Sequence, residues 1–419
     1  MANIFVRGLK CIFCGKEYGL EYSRLCCTNC KEYKYGSLDV IYDYDRVRDN
    51  TRSWKSSHVS TMWQFKELLP VKENSIITLS EGGTPLIKCN SVGKKYGLNN
   101  LFIKDEGINP TGSFKDRGIS IIVSIAKSLG SKGVTCVSSG NAAVSLSAYA
   151  AKAKLDCFVF APDSISQEKR TQIQIYGAKL ILIEGTLERA YEMARFALDE
   201  YDYYNCNAAI NPFIIEGNKT IAYENWIQLK FKAPDQVIVP IGNGSNLSGI
   251  WKGYNELQTL GLIDKLPKMV GIQCSNAAPV YEGFKNSKMN SIPQKITGKE
   301  CDADGIIAED SYDAPKALKA IKGSEGIVTT VTNKEIWDAL KDLAIHEGIF
   351  CEITSATAIA AAKKLSKDGT IDKDENIVCI LTGNGLKSIS KITKGYLPVI
   401  PFNKPDLLRE EIESHFKNA

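Results

Sequence analysis

From residue 76 onward the chain alternates short runs rich in Val and Ile with longer runs whose apolar residues recur at helical spacing. That alternation leaves few architectures open. Strands separated by helices pair in parallel, and the helices must then cover the sheet. Strands are predicted over 101–104, 133–137, 156–160, 179–183, 236–240, 269–274 and 376–381. Helices are predicted over 119–129, 142–153, 166–176, 186–200, 220–229, 247–257 and 357–365. The fold class is α/β, and 419 residues suffice for two globular domains and an appendage.

Between the strand at 101–104 and the helix that follows stands Asn109-Pro110-Thr111-Gly112-Ser113-Phe114-Lys115-Asp116-Arg117-Gly118. Asn-Pro and Thr-Gly are turn dipeptides, so the backbone bends here and a helix starts near Ser113. Lys115 then falls in the first turn, where the helix dipole disfavours a charged amine. A solvated surface lysine would satisfy this local pattern. So would an amine kept partly neutral and nucleophilic, as a Schiff-base lysine must be.

Three glycine turns follow predicted strands. Ser138-Ser139-Gly140-Asn141-Ala142-Ala143 opens an alanine-rich helix whose free N–H groups suit a carboxylate. Gly242, Asn243, Gly244, Ser245 and Asn246 open another helix and make a phosphate cradle. The run lacks the third glycine of a dinucleotide fingerprint, and the sequence has no Walker A loop. Leu381-Thr382-Gly383-Asn384-Gly385 projects a hydroxyl from a strand end. Each alone reads equally as an ordinary turn between strand and helix. Together with Lys115 they supply an amine, a phosphate cradle, a carboxylate cradle and a hydroxyl anchor.

Residues 1–36 form a separate small unit. Cys11 and Cys14, then Cys27 and Cys30, are two C-x2-C pairs twelve residues apart, the spacing of a zinc ribbon with a closed structural site. Cys26 stands beside Cys27 and could serve in its place, and four reduced cysteines without metal are the alternative. Residues 37–75 are an aromatic, charged connector expected to pack on a larger body, and 398–419 read as a surface tail. Thirteen cysteines in a long chain fit a reducing cytoplasm. With 52 basic and 48 acidic residues the charge is too balanced for a nucleic-acid surface, and no apolar run approaches the ~18 residues of a membrane span.

These blocks, with Glu81-Gly82-Gly83-Thr84-Pro85-Leu86, Trp251-Lys252-Gly253 and Glu347-Gly348-Ile349-Phe350, resemble the threonine synthase family of fold type II, tryptophan-synthase-β-like pyridoxal-phosphate enzymes over about residues 8–395. The resemblance implies two parallel-sheet α/β domains: a large cofactor domain at 76–119 plus 208–397 and a small mobile one at 120–207. It implies that Lys115 holds pyridoxal 5'-phosphate and shuttles protons. Asn141 would meet the cofactor's phenolic oxygen, residues 242–246 its phosphate, and Thr382 its ring nitrogen. Substrate would meet Thr84, Ser138, Ser139, Gly140 and Ala142. A homodimer acting on a small amino acid is also implied, forming threonine from O-phosphohomoserine and water with release of phosphate.

The family pattern breaks at one inferred subsite. An Asn-Ser pair and an arginine that would hold the substrate phosphate are replaced by Ala208, Ala209 and Ile214. Upstream of Ala314-Pro315-Lys316, an arginine and an Ile-Gly-Asn-Pro turn give way to Ile307-Ala308-Glu309-Asp310. Removing one charged hydrogen bond to a phosphate costs roughly 1.5–3 kcal/mol, so unless other residues take over the phosphate, the alternative is a paralogue acting by elimination or replacement on a non-phosphorylated amino acid. Glu309 and Asp310 hint at a cationic side chain.

Overall fold

The computed structural model describes residues 3–21, 23–30, 37–56, 59–185, 189–191, 193–194, 201, 203–208, 210–286, 301–307 and 311–393. Its strands, in chain order, are β1 (Val6–Cys11), β2 (Glu17–Tyr18), β3 (Leu38–Tyr42), β4 (Leu86–Lys88), β5 (Asn100–Asp105), β6 (Gly133–Val137), β7 (Asp156–Pro162), β8 (Lys179–Ile183), β9 (Tyr204–Asn205), β10 (Gln236–Pro240), β11 (Lys268–Cys274), β12 (Ile327–Val331) and β13 (Asn376–Leu381). They build three sheets, ordered β2-β1-β3, β12-β11-β10-β13-β5-β4 and β8-β7-β6-β9.

The six-stranded sheet is parallel except for β4, which runs antiparallel to β5 at the edge. β10 reads Gln-Val-Ile-Val-Pro and is buried along its length, as a central strand covered on both faces must be. Alternation then assigns its side chains to two cores. Val237 and Val239 belong to the core that also holds Leu247 and Ile250, while Ile238 belongs to the one that holds Ile353 and Ile359. β10 and β13 pair in register and both end where a glycine turn begins. Ligands of parallel α/β sheets bind outside those carboxyl ends.

The four-stranded sheet is parallel and spans 133–205, within the limits expected for the small domain. Helix Lys115–Ser128 passes unbroken through the boundary expected near 120. The N-terminal sheet is antiparallel and takes its third strand, β3, from beyond residue 36, so the small unit reaches into the connector. The rest of the connector packs as its aromatics suggest. Trp54, Phe65 and Tyr223 form a triangle with ring centroids 5.0–5.3 Å apart.

The helix expected over 186–200 lies largely outside the described residues, as do the tail 398–419, Ala209, Ala308, Glu309 and Asp310. Helices also occur where none was expected, including Asn333–Glu347, whose Thr332 and Glu335 form a capping box. Among the described residues no helix is long and apolar enough to cross a membrane.

Candidate active site

Lys115 is the first residue of helix Lys115–Ser128, and the loop before it is stitched on every side. Asp116 turns back to accept from the Thr111 N–H at 2.7 Å and hydroxyl at 2.6 Å. The Phe114 N–H donates to the Thr382 carbonyl at 3.1 Å, and the Asn384 N–H to Gly112 at 2.9 Å, so the third glycine turn lies against the lysine loop. Arg117 anchors the helix start. It forks onto Glu106 (Nε–Oε2 2.6 Å, Nη2–Oε1 2.7 Å) and meets Glu224 at 2.5 Å, while Lys104 reaches Glu224 at 2.7 Å. All four side chains are fully buried and their charges cancel. Burial alone would raise the Glu224 carboxyl, but Arg117 and Lys104 outweigh it and hold it at about 2. Behind the helix, Gly118 meets Ile214 and Gly217 meets the Arg117 backbone so closely that a side chain on either would collide.

Burial lowers the Lys115 amine to about 8, with the Asp313 carboxylate opposing the shift. The structure therefore favours the nucleophilic alternative over a solvated surface lysine. A neutral amine is required to attack an aldehyde, and its fraction grows as pH rises through about 8. The rate of pyridoxal-phosphate capture by stripped protein should rise through that value and level off above it. Stopped-flow absorbance checks this, and a rate flat across that window would contradict the assignment.

The three turns converge on one cavity of about 220 Å³ that opens to solvent. Its wall includes Lys115, Ser138, Ser139, Gly140, Asn141, Ala142, residues 242–246 and Thr382. At the second turn Gly244 has φ +102°, and a side chain there would lie 2.9 Å from the Asp313 carbonyl. The turn thus brings bare backbone to the start of helix Ser245–Thr259, a 15-residue helix with its first N–H groups free for an anion. Both amide atoms of Asn246, Oδ1 of Asn243 and Oδ1 of Asn141 are buried without hydrogen-bond partners. Orphaned groups of this kind mark a ligand's place, since burial without a partner costs about 1–3 kcal/mol each. Thr382 Oγ1 lies 3.2 Å from Ser355 Oγ. An amine, an anion cradle, orphaned amides and a hydroxyl on one wall fit pyridoxal phosphate.

A sequence profile described as "Pyridoxal-phosphate dependent enzyme" matches residues 77–383, which include every one of these groups. The chain belongs to the pyridoxal-phosphate dependent enzymes. Among curated relatives, threonine synthase of Methanocaldococcus jannaschii is 45% identical over 90% of this chain and 92% of its own. Threonine synthase of Methanosarcina acetivorans is 40% identical over the same shares. In fold the enzyme is similar to maize serine racemase (TM-score 0.64, 20% identity, 80% of this chain and 93% of that one). It is also similar to threonine deaminase isoform 2 from Solanum lycopersicum (0.63, 23%, 74% and 86%). The fold type II architecture expected from the sequence stands.

Two expected site residues lie elsewhere in this pyridoxal-phosphate enzyme. Thr84 is buried away from the cavity. Its hydroxyl donates to Glu106 at 2.7 Å and accepts from Arg117 at 3.1 Å, so it belongs to the ionic anchor and not to a substrate wall. Ile214 is 1% exposed and packs on Gly118, so its position does not face a substrate phosphate. Ala208 does line the cavity.

Other groups on the wall were missed. Glu352 accepts from Asn141 Nδ2 at 2.8 Å, and Lys169 stands 3.6 Å from Glu352 and 3.5 Å from Asp304. Glu352 also precedes helix Ile353–Lys367, and an acidic residue at a helix start was a legible signal.

In the N-terminal sheet the sulfurs of Cys11, Cys14, Cys27 and Cys30 lie within 4.8 Å of one another, and Cys26 is not among them. Cys11–Cys30 and Cys14–Cys27 separations of 3.7 and 3.8 Å match the ~3.8 Å edge of a tetrahedron with 2.3 Å zinc–sulfur bonds. The four thiols fit structural zinc. Metal analysis should find one zinc per chain, reduced in Cys14→Ser and unchanged in Cys26→Ser. Zinc absent from the wild type would contradict this.

Proposed function

We propose that this enzyme converts O-phosphohomoserine and water to threonine and inorganic phosphate. The threonine synthases that match it over 90% of its length support this, as do the amine, anion cradle and hydroxyl that line the cavity. Bound pyridoxal phosphate supplies an electron sink for the substrate's α-carbon. Lys115, its amine lowered by burial to about 8, takes and returns substrate protons. Asn141 and Thr382, both on the cavity wall, would hold and orient the cofactor's ring. Thr382 offers a hydroxyl where a carboxylate would force the ring nitrogen to stay protonated, a choice that suits elimination and replacement at the side chain. Ser138, Ser139 and the N–H groups opening helix Asn141–Ala153 take the substrate carboxylate. The domain around the four-stranded sheet closes over the bound substrate and excludes water. The active form is a homodimer, which sedimentation would test.

One observation favours a second reading. Among the described lining residues the cations are Lys115 and Lys169, and Lys169 already sits between Asp304 and Glu352. A phosphate group would find little free positive charge there. The alternative is elimination or replacement on a non-phosphorylated amino acid. Holoenzyme should release phosphate and threonine in equal amounts from O-phosphohomoserine. Ammonia released from threonine, serine or a diamino acid, with no phosphate from O-phosphohomoserine, would overturn the first reading in favour of the second.

A further inference from the structure

Helix Gln167–Ile175 belongs to the layer of the four-stranded sheet, yet one edge of it is bonded to the segment that follows β13 of the larger sheet. Glu168 Oε1 accepts from the Ser390 N–H at 2.7 Å. One turn further along the same face, Gln172 Oε1 accepts from Lys387 Nζ at 2.8 Å. The same ammonium donates at 2.8 Å to the carbonyl of Thr111, four residues before Lys115. Lys387 is almost fully buried, and its stem packs where Gly112 leaves room, with Cδ 3.2 Å from where a side chain would begin.

The arrangement joins three parts through one nitrogen: the lysine loop, the strand-end turn and the small-domain helix. A buried ammonium needs acceptors, and moving the helix away would strip one from Lys387. Thr111 would keep its bond, because Asp116 fixes the Thr111 N–H and hydroxyl independently. The bond to Gln172 therefore differs between a closed and an open arrangement, as do those of Glu168 to Ser390 and of Lys169 to Asp304 and Glu352. The Gln172 bond alone also reaches the lysine loop through the shared ammonium, and such differences set the two populations.

We propose that Lys387 is a positioning residue that, with Gln172, clasps the small domain shut over Lys115 and couples that closure to the loop carrying the lysine. The clasp rests on the proposed small-domain movement and not on the identity of the substrate. It does not touch the cofactor groups, so it acts on closure and leaves cofactor affinity alone.

The test uses full-length holoenzyme carrying Gln172→Leu, Lys387→Met, both together, or Gln172→Glu. Amide hydrogen exchange over 167–175 reads closure, visible-absorbance titration reads cofactor affinity, and kcat/KM is measured with O-phosphohomoserine. Gln172→Leu should speed exchange and lower kcat/KM by about tenfold, the scale of one hydrogen bond to a charged group, with cofactor affinity unchanged. The double variant should be no worse than Lys387→Met, and Gln172→Glu should slow exchange below wild type. Unchanged exchange in Gln172→Leu, or effects of the two single variants that simply add, would overturn the clasp. So would weaker cofactor binding in Lys387→Met with exchange unaltered, since Lys387 would then serve only the Thr111 carbonyl. Should wild type release no phosphate while exchange responds as expected, the substrate assignment falls and the clasp stands.

Discussion

Lys115→Ala should abolish turnover and the covalent hold on the cofactor together. Proton transfer by a positioned side chain alone is worth about 10²–10⁴-fold, so the variant should lose at least that in kcat. Residual pyridoxal phosphate should still associate weakly, because residues 242–246 and the orphaned amides of Asn243 and Asn246 do not depend on the lysine. That separation is the informative part. Dialysis should strip the variant and spare the wild type, as visible absorbance would report. Wild-type kcat in the variant would remove Lys115 from the chemistry.

The second large effect is on stability. Arg117→Met leaves Glu106 and Glu224 fully buried with Lys104 as their single cation. Breaking a buried pair in this way costs about 3–5 kcal/mol. For a domain of this size that lowers the melting temperature by roughly 5–10 °C, as calorimetry would show. Adding Glu224→Gln restores the charge balance and should recover part of the loss, whereas a further drop would contradict the neutral-network account. The pH dependence has a definite sign. Glu224 is held at about 2 against an ordinary 4.5, so its contribution is complete above pH 4.5 and lost as pH falls through 2. Arg117 also fixes the start of the Lys115 helix, so the single variant should lose activity beyond what unfolding explains.

Much of this site was legible because it is local. Turn dipeptides before Lys115 and glycine turns after 133–137, 236–240 and 376–381 follow from short-range rules, and the parallel sheets bring the strand ends together. What escaped is long-range. Thr84 takes a substrate role only from the family resemblance, and its actual partners Glu106 and Arg117 lie 22 and 33 residues on. Ile214 fell on a phosphate-binding position only through the family pattern it departs from, while the short helix Ile214–Asn218 turns it onto Gly118. Lys169, Asp304 and Glu352 come from three separate segments, and nothing near any one of them announces the others. Helix Asn333–Glu347 was missed although Thr332, Glu335 and the closing Gly348 spell its two ends.

The central claim is that Lys115 and the three turns form a single pyridoxal-phosphate site. Reducing the holoenzyme with borohydride, digesting it and mapping the pyridoxyl group by mass spectrometry tests this most directly. One pyridoxyl group per chain, on the peptide containing Lys115, is the expected result. Label on Lys169, on Lys387 or on no lysine at all would contradict it.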